Sequence, residues 1–70
     1  MEKIYNCIKT DTGVSMDWMK GDKKNNEYFS FQELETMRIQ VQDLVSKSEL
    51  FRLDLQEHKI YVSQAGRIAL

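Results

Sequence analysis

The sequence predicts a small α+β domain of order β-β-α-β-β, with one amphipathic helix packed on one face of an antiparallel sheet. Three observations predict it. A capping box at Ser30 opens an apolar stripe of helical period. Segments of period two lie on both sides of that stripe. Turn-forming residues divide those segments into two hairpins. The 70 residues suit one such domain, spanning 1–70.

The first strand is expected over about 3–10, where Ile4 to Thr10 is β-branched and aromatic although its alternation is poor. Thr10-Asp11-Thr12-Gly13 is turn chemistry, with glycine free to take positive φ. The second strand, about 14–20, alternates cleanly: Val14, Met16 and Trp18 against Ser15, Asp17 and Met19. Gly21 to Asn26 is the most polar stretch and reads as a mobile loop.

The helix is expected over about 31–47. Ser30 and Glu33 form the capping box, and Phe29 and Leu34 stand at the positions of a hydrophobic staple. Phe31, Leu34, Met37, Val41, Leu44 and Val45 then recur on one face. Glu33 and Glu35 near the start and Lys47 near the end suit the helix dipole. Strands follow over about 50–55 and 60–64, joined through Gln56-Glu57-His58-Lys59. The buried sheet face would hold Ile4, Ile8, Val14, Met16, Trp18, Phe51, Leu53, Leu55, Ile60 and Val62. The opposite face would show Tyr5, Cys7, Lys9, Ser15, Asp17, Met19, Arg52, Asp54, Tyr61 and Ser63.

Ten basic and eleven acidic residues give a formal charge of −1, with the signs mixed along the chain. That balance lacks the basic excess of a general nucleic-acid binder or a polybasic membrane anchor. No apolar run approaches the roughly 20 residues of a membrane span, and Met1-Glu2-Lys3 opens no signal peptide. The expected location is the cytoplasm, which a single cysteine also suits. Cys7 has no partner for an internal disulfide, and with His58 as the single histidine no Cys/His zinc cluster can form. Small scaffolds lean on disulfides, a metal or a partner. A larger protein, or a second copy in a homodimer, is the support left.

The case for an enzyme is poor, and no catalytic, cofactor or metal residues are assigned. Asp11-Thr12-Gly13 matches the tripeptide of retroviral aspartic proteases, yet Lys9 and Thr10 precede it where that family is apolar, and a hairpin turn accounts for it. Cys7 and His58 are the single thiol–imidazole combination, with no signature around either. The three glycines stand apart, so no phosphate loop is present. Lys20, Lys23 and Lys24 are interrupted by Asp22 and read as a solvated loop.

The residues carrying a partner-binding hypothesis are Tyr5, Lys9, Asp17, Met19, Arg52, Asp54 and Tyr61 on the outer sheet face, where Tyr5, Met19, Arg52 and Tyr61 are types enriched at interfaces. Ile39 joins them as an apolar residue pointing away from the helix stripe. The expected function is a non-enzymatic interaction protein, a regulator or inhibitor docking on a larger host or cognate protein. Compact, proline-free chains of this kind are common among phage and mobile-element products.

Leu50 to Leu70 resembles the wing and following helix of winged-helix regulators. A hairpin runs into Tyr61-Val62-Ser63-Gln64-Ala65-Gly66-Arg67-Ile68-Ala69-Leu70, similar to the V-T-x-x-G-R-x-x-L passage of that family. The resemblance implies a DNA-binding transcriptional regulator, with helix 31–47 as recognition helix, the 50–63 hairpin as wing, and Arg38, Gln42 and Arg52 as DNA contacts. The acidic charge ranks nucleic acid behind protein as the partner.

Overall fold

A computed structural model describes residues 2–63. In chain order these form β1 (Glu2–Lys3), β2 (Tyr5–Lys9), β3 (Gly13–Lys20), β4 (Lys23–Ser30), α1 (Phe31–Thr36), α2 (Val41–Ser46), a 3-10 turn (Ser48–Leu50), β5 (Phe51–Asp54) and β6 (Lys59–Val62). The class is mixed α+β and mostly strand, but the single four-stranded sheet is replaced by two antiparallel three-stranded sheets. One has the order β2-β3-β4 and the other β1-β5-β6.

The expected first strand serves both sheets. Glu2 and Lys3 pair with Leu53 and Arg52, and Tyr5 onward pairs with β3. Ile4 lies at the crossover, 3% exposed, and pins the corner. The expected mobile loop 21–26 is a correction: a turn at Gly21-Asp22 leads into β4, which pairs with β3 from Lys20↔Lys23 to Gly13↔Ser30. Gly21 takes φ +64°, the positive φ that a two-residue hairpin turn asks of a glycine. Polarity concealed β4, since its inner-face residues above Phe29 are Glu27 and Asn25 rather than apolar ones.

The expected helix is also corrected. Ser30 Oγ accepts from Glu33 N–H and Glu33 Oε1 accepts from Ser30 N–H, so the capping box forms. After six residues, however, the chain turns. Arg38 takes φ +60°; Ile39 N–H donates to Leu34 O, and Arg38 N–H donates to Glu35 O. Those two bonds are a Schellman motif, with arginine where glycine is usual. A second six-residue helix follows, with Gln40 as N-cap and no side-chain cap bond.

One core lies between the layers: Ile4, Val14, Met16, Trp18 and Phe29 from the first half, Leu34 and Leu44 from the helices, and Phe51, Leu53 and Ile60 from the second sheet. Burying this set is the main favourable contribution to folding. Ile8, Leu55 and Val62, expected in the core, are exposed. Leu55 lies in the β5–β6 turn and Val62 at the last position of β6. Ser63, expected outside, is buried, and its N–H donates to Leu50 O. Val45 is exposed although it continues the apolar stripe.

Candidate protein-binding face

The outer face of β2-β3-β4 is built by strand alternation. Val14, Met16 and Trp18 turn into the core, so Ser15, Asp17 and Met19 turn out. Register then sets their neighbours. Ile8, Ser15 and Tyr28 form one row across the three strands; Tyr5, Asp17 and Asn26 form the next; Met19 lies beside Lys24.

A bulge decides which β2 residues join this face. The register shifts between Tyr5 and Ile8, and Asn6 sits there at φ +49°, a conformation asparagine tolerates better than most residues. An inserted residue reverses the sidedness of the strand beyond it. Ile8 therefore points outward opposite Ser15, and Lys9 pairs with Val14 at the strand end. The two residues exchange the faces expected for them. Cys7, within the bulge, is half-buried against the core, and burial followed by the nearby Asp17 charge pushes its thiol up to about 11. That thiol is a packing residue, protonated at neutral pH.

The polar centre of the face is fixed by its own side chains. Asp17 accepts from Asn6 Nδ2 at 3.2 Å and from Asn26 Nδ2 at 3.1 Å, while Lys24 Nζ stands 3.8 Å away. The Asn26 and Asn6 bonds hold the Asp17 carboxyl below its ordinary range. Asn26 also donates to Ser15 Oγ and Met16 O. At the far end the Tyr28 hydroxyl bonds Thr12 Oγ1. Around this network four large side chains stay exposed: Ile8 by 62%, Tyr5 by 43%, Tyr28 by 41% and Met19 by 38%. Sequence reasoning missed Ile8 and Tyr28. Asn6 was the available signal for the first, and the hidden strand concealed the second.

The remaining predicted residues divide. Arg52 lines a cleft of about 300 Å³ with Lys3, Ile4, Tyr5, Asn6, Ser48 and Glu49, so it borders the face. Its Nη1 donates to Glu49 O and Phe51 O, so its guanidinium is partly spent on its own backbone. Tyr61 pairs with Arg52 in the second sheet and donates to Glu57. Asp54 Oδ1 accepts from Gln56 N–H and Glu57 N–H, which makes it a turn residue. Ile39 is half-buried against the core, because helix termination turns it inward as the apolar residue of the Schellman motif.

Among the described residues no group of three His, Cys, Asp or Glu side chains could hold a metal ion, and no helix is long and apolar enough to cross a membrane. The resemblance to a winged-helix regulator meets six-residue helices on either side of Arg38 where a continuous recognition helix is required. Strands fill residues 2–30 apart from short connections, and Gln64 to Leu70 lie outside the described residues. Fold and face together define a small two-sheet α+β domain with an amphipathic sheet surface. No protein-family model matches the chain, and neither the curated proteins nor the solved structures contain a significant match.

Proposed function

We propose that this protein is a non-enzymatic interaction module, a small regulator or inhibitor that docks on a larger protein through the outer face of β2-β3-β4. The observation that carries the reading is the combination on that face: four large exposed side chains surround a polar centre already locked by Asp17, Asn6 and Asn26. Such a surface loses little conformational freedom on binding, and that loss is a main cost of association. Tyr5 and Tyr28, which flank that centre, are of the residue type that commonly dominates binding energy. Docking would occlude whatever site the partner presents there.

Capture from a host lysate, with and without nuclease, tests this with wild type and a Tyr5→Ser/Ile8→Ser variant. Ile8 is 62% and Tyr5 43% exposed, and neither belongs to the buried core, so the variant should stay folded with an unfolding midpoint near that of wild type. A nuclease-resistant protein partner should be retained by wild type and lose about thirtyfold in affinity in the variant, the scale of a hot-spot truncation. Equal retention by both proteins defeats the reading, as does nucleic acid as the sole species captured.

A further inference from the structure

We propose that His58 is a proton-dependent clasp that fastens the β5–β6 turn to the first sheet and to α1. The imidazole stacks on Phe29, centroids 4.0 Å apart and planes 13° from parallel, and Phe29 is fully buried. Its two nitrogens face two different elements. Nδ1 is 3.6 Å from Glu27 Oε2 on β4, and Nε2 is 3.6 Å from Glu33 Oε2 on α1.

Both distances are beyond a hydrogen bond and within the roughly 4 Å reach of an ion pair, so the two carboxylates act on the ring through its charge. The charged groups nearest in the chain do not compete. Glu57 accepts from the Tyr61 hydroxyl at 2.9 Å and stands 4.0 Å from Lys59 Nζ, and Asp54 caps the turn backbone. Glu33 uses its other oxygen for the capping box, so the clasp holds the start of α1 as well as the turn. His58 adopts φ +52°, a conformation a non-glycine residue occupies at a cost. The stacking and the paired charges offset that cost.

The consequence is directional. Histidine ordinarily changes charge between pH 5 and 8. While the ring carries its proton, both carboxylates attract it, and they do so in the folded arrangement alone. Once the proton is gone, the stacking on Phe29 and the Ile60 N–H bond to Met37 Sδ at 3.4 Å still tie the hairpin to its neighbours, without the two ion pairs. Mildly acidic conditions close the clasp and alkaline conditions loosen it, uncovering the Phe29 ring.

Urea unfolding at pH 5.5 and 8.0 tests this on wild type, His58→Phe, His58→Asn and Glu27→Gln/Glu33→Gln. Glutamine at position 33 keeps the capping box. Between pH 8.0 and 5.5 the wild-type folding constant should rise about three- to tenfold relative to the Glu27→Gln/Glu33→Gln protein, the range for two partly exposed ion pairs. The same rise should appear against whichever His58 variant folds. A ratio that stays constant across this range overturns the proposal. So does an equal rise in the doubly substituted protein, and neither result bears on docking through the outer face.

Discussion

A Cβ added at Gly13 would lie 2.1 Å from Phe29 O and 2.8 Å from both Ser30 Cα and the Tyr28 hydroxyl oxygen. Two of those three neighbours are backbone, so no rotamer change relieves the contact. Gly13→Ala should therefore destabilise the protein by about 3 kcal/mol, the upper part of the usual overpacking range, read as a lower urea midpoint. Gly21 supplies the control, since open space surrounds it and its φ is +64°. Gly21→Asn should cost less than about 1 kcal/mol, because asparagine tolerates that region. The sequence marked Gly13 as a residue with a conformational role. The role is instead close approach of two strands, and spacing within one strand cannot show what its neighbour brings. Asn6 is the converse case: its ability to take positive φ was readable, but its use in a bulge depended on pairing with β3.

α1 ends on an arginine in the left-handed region. A non-glycine residue there costs roughly 1–2 kcal/mol, and glycine's greater freedom when unfolded returns part of any gain. Arg38→Gly should thus stabilise the protein by about 0.5–1 kcal/mol, with a raised urea midpoint and an unchanged m-value. The same feature explains why the helix looked continuous. Phe31, Leu34, Met37, Val41 and Leu44 keep helical spacing straight through the break, and neither glycine nor proline marks it. Start signals lie in one short segment and could be read; this stop is tertiary, made by Ile39 reaching the core. β4 was hidden for a related reason, since an edge strand can carry Glu27 and Asn25 inward and still pair along its length. Those residues have a use there. Inward charge and lysines such as Lys24 discourage edge-to-edge pairing.

Across the whole molecule, the titrating groups set two limits on stability. Backbone hydrogen bonding from Ser30 lowers Glu33, and the Asn26 and Asn6 side chains lower Asp17. Their contributions are complete above their ordinary values of 4.5 and 3.8 and disappear as pH falls below them. At the other end, burial raises Cys7 from 9.0 to about 11, and the hydroxyl bond to Glu57 raises Tyr61 from 10.0. Raised acids favour the fold while protonated, so that contribution is present below about pH 9 and lost as pH climbs through 11. Thermal midpoints should therefore fall on both sides of this interval, and Cys7 should resist alkylation at pH 8 until the protein unfolds. The class and most of the core were legible because alternation and capping are local. The division into two sheets was not, because it turns on Ile4 changing partners between neighbouring residues. The Asn6–Cys7 bulge has a wider implication. Two residues there stand opposite the single Met16, so a chain shorter by one residue would carry Tyr5 and Ile8 on the same face through an unbroken ladder.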